Sequence, residues 1–227
     1  MTSRSGNEGR FQAFGPSANA VSRTALILLP AAALAALYLT HAAAVSEYAT
    51  GSNRAPVQPL PFSHRHHASE LGIDCRYCHA SVEKSAFVDL PPTHTCMSCH
   101  SQVWEQAAAL EPLRKSFREG IPVPWVRVND LPGYVYFDHG RHVRQGVGCA
   151  VCHGRVDEMA AVRNVNAFTM RWCLDCHRDP APSLRPRSEV FNMAWRPAGD
   201  ALAQGRKLMS LYRINPQRMT DCTVCHR

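Results

Sequence analysis

The chain has 227 residues, a formal net charge of +7 at pH 7 and ten cysteines. Its length allows one domain or two small ones. A basic chain can bind nucleic acid or anionic lipid, but no aromatic–basic motif accompanies the charge, which argues against a nucleic-acid partner. The sequence also lacks a Ser/His/Asp arrangement, a phosphate-binding loop and paired carboxylates, so we expect no catalytic site of its own.

The N-terminal part predicts a single membrane-spanning helix. Residues 1–23 carry three arginines against one acidic residue, and the 22 residues of 24–45 carry no charge, which is enough to cross a bilayer. The positive-inside rule places residues 1–23 in the cytoplasm and the C-terminal part outside. A cleaved signal peptide is the alternative, although the apolar stretch is longer than usual for one. Residues 46–61 are polar and proline-bearing, and they predict a linker.

Five copies of the pattern Cys-x-x-Cys-His use all ten cysteines. This pattern is the covalent attachment site of c-type haem, in which two thiols bind the vinyl groups and the histidine is the proximal iron ligand. Zinc ribbons do not need a histidine after every pair, and a disulfide framework would not repeat one spacing five times. The sequence therefore predicts five covalently bound haem c groups, haems 1 to 5, attached in chain order through Cys75 and Cys78, Cys96 and Cys99, Cys149 and Cys152, Cys173 and Cys176, and Cys222 and Cys225, with proximal ligands His79, His100, His153, His177 and His226.

Five haems leave too few residues per haem for an ordinary protein core. We expect a mostly α fold with extensive loops, wrapped around the haems over residues 62–227, with the porphyrins supplying most of the apolar interior. Apolar residues at near-helical spacing, Trp104 to Phe117, predict a connecting helix over residues 101–119. Thioether formation requires an export-side maturation system, so the haem domain is predicted on the periplasmic side, in agreement with the charge argument.

Two of the haem motifs are preceded by the same pattern, Phe-x-His-x-x-His, at residues 62–67 and 137–142. The repeat predicts haem modules at 62–100 and 137–177, followed by a terminal haem at 222–227. Histidines at i and i+3 share one helical face, so haems on either side of that helix can each receive one ring as distal ligand. We assign the distal ligands as His64 to haem 1, His67 to haem 2, His139 to haem 3 and His142 to haem 4.

Haem 5 has no histidine of this kind. The second module and the final motif resemble the trihaem cytochrome c7 pattern, in which a histidine just before the second-last motif ligates the last haem. Met170 stands roughly in that place, three residues before Cys173, and is the predicted distal ligand of haem 5. His94, another methionine such as Met193, and an open coordination position remain alternatives. His66 has no counterpart in the second module and is predicted to be exposed.

Three stretches carry a wider family resemblance: FSHRHHASELGIDCRYCHASVEKSAFVDLPPTHTCMSCHSQVW, PWVRVNDLPGYVYFDHGRHVRQGVGCAVCHGRVDEM and MRWCLDCHRDPAPSLRPRSEVFNM. They are similar to the pentahaem cytochrome c subunit of alternative complex III, and the similarity runs from about Pro61 to Arg227 and includes the N-terminal helix. The resemblance implies a single-pass subunit of a respiratory or photosynthetic complex that carries electrons from an iron–sulfur partner to a periplasmic cytochrome, copper protein or oxidase. It also implies integral membrane subunits that bind quinol, and a monohaem cytochrome c, as partners.

Two other classes of function remain open. A self-contained NapC/NrfH-type membrane quinol dehydrogenase also has one helix and several haems, but its first haem follows the helix closely, whereas about thirty residues separate Val45 from Cys75 here. A multihaem enzyme needs an iron with an open distal position and nearby proton donors. The four assigned distal histidines leave at most haem 5 for that role, so the sequence favours an electron-carrier subunit.

Overall fold

The computed structural model describes residue 15 and residues 17–226. Most of the predicted cytoplasmic segment 1–23, and the last residue of the predicted terminal haem segment, therefore lie outside the described residues. The chain divides into two compact units, Met1–Ala49 and Thr50–Arg227.

The first unit is built on one long apolar helix, α1, at Ala18–Ala44. Its 27 residues extend over about 40 Å at the rise of an α-helix, and none of them is buried within the protein. By length and composition α1 could cross a membrane, and a signal sequence would have the same properties. The predicted helix therefore exists, but it begins six residues before Thr24.

The remaining chain consists of short helices joined by long irregular segments, and no β-strand occurs among the described residues. The α-helices after α1 are α2 (Glu47–Thr50), α3 (Cys75–Cys78), α4 (Thr93–His100), α5 (Glu111–Glu119), α6 (His139–Arg144), α7 (Cys149–His153), α8 (Met170–Arg178), α9 (Ala201–Tyr212) and α10 (Cys222–Cys225). A π-helical turn covers Arg65–Glu70, and 3₁₀ turns cover Ala108–Leu110, Val156–Glu158, Ala181–Ser183, Arg187–Glu189 and Pro216–Arg218. The mostly α fold with extensive loops is as predicted.

Several short helices begin at a side chain that caps them. Asp74 caps α3, Asp138 caps α6 and Thr169 caps α8, and each side-chain oxygen accepts a bond from a backbone N–H two or three residues later, at 2.8, 3.0 and 3.3 Å. Such caps satisfy backbone donors that a helix of one or two turns leaves free at its N-terminus. Local sequence therefore fixes where these helices, which carry candidate haem ligands, begin.

The prediction of a connecting helix over residues 101–119 is wrong for its first half. Helix begins only at the 3₁₀ turn Ala108–Leu110, which leads into α5. Trp104 has a positive φ of 56° and is 67% exposed, and a residue in this region cannot continue a right-handed helix. The prediction used the apolar residues Trp104, Leu110, Leu113 and Phe117, and of these Leu113 alone is buried.

The apolar interior that the polypeptide builds for itself is small. In the second unit, Leu60, Leu113 and Val123 form a buried cluster, against which Met97 and Trp125 pack. Apart from proline and glycine, only nine apolar residues are buried in the part of the chain that the structure describes. A domain of this length with so few buried side chains would be marginal without a further apolar component.

Gly205 of α9 provides a test of the packing in the second unit. A Cβ atom at this position would overlap the backbone carbonyl of Ala181, which cannot move without shifting the chain. We predict that Gly205→Ala lowers the free energy of unfolding by about 1–3 kcal/mol because it overpacks this contact. A Cβ at Gly133 would meet open space, so Gly133→Ala is the matched control. Thermal unfolding of the two variants with haem bound checks the prediction, and equal melting temperatures would contradict it.

Candidate haem sites

The two cysteines of each Cys-x-x-Cys-His motif lie on a short helix, namely α3, α4, α7, α8 or α10. The motif histidine belongs to the helix in α4, α7 and α8, and it directly follows the last helical residue in α3 and α10. Residues at i and i+3 of a helix share one face, so the two thiols of each motif lie on the same side. All ten cysteines are free thiols. The pKa of the Cys149 thiol is raised to about 11 and that of the Cys152 thiol to about 12, mainly because both are buried. Both thiols are therefore neutral. The motifs therefore present the donor set of c-type haem.

Three of the motif histidines face a second histidine across a gap of nearly constant width. The ring centroids are 6.2 Å apart in His67–His100, 6.3 Å in His139–His153 and 6.1 Å in His142–His177. Two imidazoles bound to opposite sides of one metal at about 2 Å, each with its nitrogen roughly 1.1 Å from the ring centroid, have centroids roughly 6.2 Å apart. Each gap therefore fits one iron atom, and the three pairs are those assigned from the sequence to haems 2, 3 and 4.

Hydrogen bonds at Nδ1 orient the assigned distal rings. His67 and His142 each have Nδ1 next to the carbonyl oxygen four residues earlier in the chain, at 2.8 and 2.7 Å. His139 has Nδ1 2.9 Å from the carbonyl oxygen of Ala86, which belongs to the other module. A carbonyl can only accept, so Nδ1 carries the proton and Nε2 keeps the lone pair that a metal requires.

Three motif histidines are oriented in the same way. The Nδ1 atom lies 3.0 Å from the carbonyl oxygen of Val103 in His100, 2.9 Å from that of Met219 in His177 and 3.1 Å from that of Tyr134 in His226. The Nε2 atoms of these rings are therefore free to bind iron.

The two Phe-x-His-x-x-His segments have the same ring geometry. Phe62 contacts His64 edge-on at 4.8 Å and stacks on His67 at 4.4 Å. Phe137 contacts His139 edge-on at 4.7 Å and stacks on His142 at 4.4 Å. The interplanar angle of both stacked pairs is 26°. One phenylalanine thus holds both histidines of its segment, which explains why the sequence pattern includes it.

His64 and His79, which the sequence assigns to haem 1, also lie near each other. Burial, followed by the proximity of His79 and His67, lowers the pKa of His64 to about 4. Burial lowers the pKa of His79 as well. Both rings are therefore neutral at physiological pH, which is the form that binds a metal. Nδ1 of His64 is buried and has no hydrogen-bond partner among the described residues.

The pKa values of the thiols indicate which motifs lie near each other. Burial is the largest cause that raises these pKa values, and a neighbouring thiol is a further one. Cys96 of the second motif is affected by Cys78 of the first. Cys149 of the third motif is affected by Cys75 of the first. The same influence acts between Cys152 of the third motif and Cys176 of the fourth, and between Cys173 of the fourth motif and Cys225 of the fifth. The first motif therefore lies near the second and the third, and the fourth lies near the third and the fifth.

The fifth motif is held by the segment that precedes α6. The N–H of Tyr136 donates to the carbonyl oxygen of Cys225 at 2.8 Å, and the ring of His226 lies 5.9 Å from that of Tyr134. Met170 is the first residue of α8 and is 64% exposed. His94 is exposed too, so neither residue is buried against other parts of the polypeptide. The assignment of Met170 to haem 5 stays a prediction.

His66 is the histidine of the first segment that the sequence leaves without a haem. It is about half exposed, its Nδ1 lies 2.7 Å from a carboxylate oxygen of Glu70, and its ring stacks on Trp104 at 6.4 Å.

The hydrogen-bond partners of the candidate ligands could not be predicted from the sequence. They are mostly backbone carbonyls, and one is the side chain of Asn129, which lies 3.2 Å from Nδ1 of His153. An amide in a proline-rich segment gave no pattern by which to identify it.

Comparison with known proteins agrees with this donor set. Residues 135–227 match the family described as cytochrome c7 and related cytochrome c. The multiheme cytochrome c subunit of menaquinone reductase from Nitratidesulfovibrio vulgaris is 36% identical over 174 residues, which cover 74% of this chain and 67% of that protein. The chain therefore belongs to the multihaem cytochromes c related to cytochrome c7, which are electron-transport proteins with covalently bound haem c.

The contact between His67 and His100 predicts a change in one haem. His67→Ala should convert one haem from a six-coordinate, low-spin state to a ligand-poor, high-spin state, because the ring near His100 is lost. Electron paramagnetic resonance of the oxidised protein measures the change. His66→Ala is the matched control, since it removes the adjacent exposed ring and should leave the spectrum unaltered. A low-spin spectrum for all haems in His67→Ala would refute the pairing.

Proposed function

We propose that this chain is the pentahaem electron-transfer subunit of a quinol-oxidising membrane complex of the alternative complex III type. The observation that carries the proposal is the presence of five haem motifs, three of which have imidazole pairs spaced for one iron each. Bound haem supplies a centre that accepts and releases one electron, and bis-histidine ligation suits it to transfer without substrate binding. The polypeptide would hold the five centres next to one another.

The proposed ligand set is that assigned from the sequence. The ten cysteines attach five haems, and the histidine of each motif is the proximal ligand. His64, His67, His139 and His142 serve as distal ligands of haems 1 to 4, and Met170 serves haem 5. Support comes from the paired rings, from the free Nε2 atoms, and from the low pKa values of His64 and His153, which burial lowers to about 4 in both cases.

The membrane complex is proposed on two grounds. The relative from Nitratidesulfovibrio vulgaris is named as a subunit of menaquinone reductase, a quinone-linked complex. The sequence stretches around the haem motifs resemble the subunit of alternative complex III, which oxidises quinol. These two reactions run in opposite directions, but the direction of transfer follows from the potentials of the groups at the two ends and not from the ligands between them.

The proposed topology is a retained anchor with the haem domain on the periplasmic side. Helix α1 would span the membrane, with residues 1–23 in the cytoplasm and residues 46–61 as a linker to the haem domain at 62–227. The proposed partners are an iron–sulfur subunit, integral membrane subunits that bind quinol, a monohaem cytochrome c, and a periplasmic acceptor or oxidase. The chain itself would bind no quinol and catalyse no reaction.

Quinol reduction of the haems tests the proposal. We expect quinol to reduce the haems rapidly in the native membrane assembly, and not in the haem-loaded chain purified alone, because the quinol site lies in partner subunits. Visible absorption of ferrous haem gives the readout, and dithionite serves as the control that the isolated haems can be reduced. Rapid reduction of the isolated chain by quinol would contradict the proposal and indicate a self-contained NapC/NrfH-type quinol dehydrogenase.

A further inference from the structure

We propose that Asn129 is a positioning residue that sets the reduction potential of haem 3 through His153. The inference rests on the proposed role of His153 as proximal ligand of haem 3. Among the motif histidines with a hydrogen bond at Nδ1 in the described chain, His153 is the one whose partner is a side chain. The three others use backbone carbonyls, which no substitution can remove.

The orientation of the Asn129 amide follows from the chemistry of His153. In the arrangement described, Nδ2 lies 3.2 Å from Nδ1 of His153, while Oδ1 is buried and has no partner in the described chain. An N–H donating to Nδ1 would leave the ring proton on Nε2, which could then not bind iron. Rotation of the amide by half a turn places Oδ1 on Nδ1–H and frees the Nε2 lone pair. The second orientation is therefore the one compatible with haem.

The site of His153 makes this contact effective. The ring of His153 is partly buried and lies 6.3 Å from the rings of His139 and Phe168, so it is poorly solvated. Hydrogen bonds are electrostatically stronger in such surroundings than in water. An acceptor on Nδ1–H increases the electron donation of the imidazole to a metal, as second-shell partners of ligating histidines do.

Asn129 is held in place from both directions along the chain. Three residues before it, the side chain of Gln58 binds the backbone of Val126 twice, since Oε1 accepts from its N–H at 3.0 Å and Nε2 donates to its carbonyl oxygen at 2.8 Å. After it, Tyr136 is bonded to the backbone of Cys225 at 2.8 Å. The segment 126–136 is thus anchored at both ends, which lowers the entropic cost of keeping the Asn129 amide at the ring of His153.

Two substitutions at Asn129 should shift one potential in opposite directions. Asn129→Asp places an anionic acceptor on Nδ1–H, which stabilises ferric iron and should lower the potential of one haem. Asn129→Leu removes the acceptor at similar volume and should raise the potential of the same haem. A residue with only a structural role would not produce opposite shifts. Spectroelectrochemical titration of the haem-loaded chain measures the potentials, and electron paramagnetic resonance reports the ligand field of the affected haem.

Asn166→Asp is the matched control for a simple effect of charge. The amide Nδ2 of Asn166 donates to the carbonyl oxygen of Cys152 at 2.6 Å, so this variant adds the same charge beside the same motif without touching Nδ1 of His153. It should leave the ligand-field signal of haem 3 unchanged. An equal shift of potential and signal in both aspartate variants would overturn the role of Asn129.

The outcomes separate this inference from the proposed function. If all five haems are present and low-spin, as assigned, but Asn129→Asp leaves every reduction potential unchanged, the proposed role of Asn129 is wrong and the ligand set stands. If Asn129→Leu does not accumulate with haem, Asn129→Asp alone decides. If His153→Ala leaves all haem signals of the wild type unaltered, the assignment of His153 itself fails.

Discussion

The spacing between paired imidazole rings is the constraint on which the rest of the haem domain depends. The centroid separations of the three pairs agree within 0.2 Å. The pairs come from different parts of the chain, since α6 contributes a ring to two of them and the Arg65–Glu70 turn contributes a ring to the third. An iron bound between such rings would connect two segments that are distant in sequence. Since metal binding in sites of this kind is coupled to folding, the small apolar interior of the polypeptide is sufficient only when the haems are included.

Backbone carbonyl groups orient most of the candidate histidine ligands. A carbonyl oxygen next to Nδ1 fixes the proton on that atom and directs Nε2 away from it, and this contact recurs at six of the candidate ligands, three distal and three proximal. The phenylalanine of each repeated segment then restricts both rings of its segment. The first segment forms a π-helical turn and the second forms α6, yet the Phe–His distances agree within 0.1 Å. The aromatic contact, more than the type of helix, therefore determines the placement of the rings.

The sequence predicted those features that depend on short-range patterns. The Cys-x-x-Cys-His motifs indicate the class of protein. The repeated Phe-x-His-x-x-His segments supply rings that lie near motif histidines, since His67 is 6.2 Å from His100 and His142 is 6.1 Å from His177, while their ligation of haem stays a prediction. Features that depend on tertiary contacts could not be predicted from the sequence. Asn129 reaches His153 across 24 residues of chain, and the carbonyl of Ala86 reaches His139 across 53. The helix predicted over 101–119 failed for a local reason, because apolar spacing alone did not reveal the left-handed backbone of Trp104.

The central claim is that each of the three imidazole pairs holds one iron atom between its rings. Anomalous diffraction at the iron absorption edge from crystals of the haem-loaded protein tests this most directly. We expect five iron peaks, with one peak midway between the rings of His67 and His100, one between His139 and His153, and one between His142 and His177. Fewer than five peaks, or an iron atom bound at one of these motifs with a ligand other than the facing histidine, would contradict it.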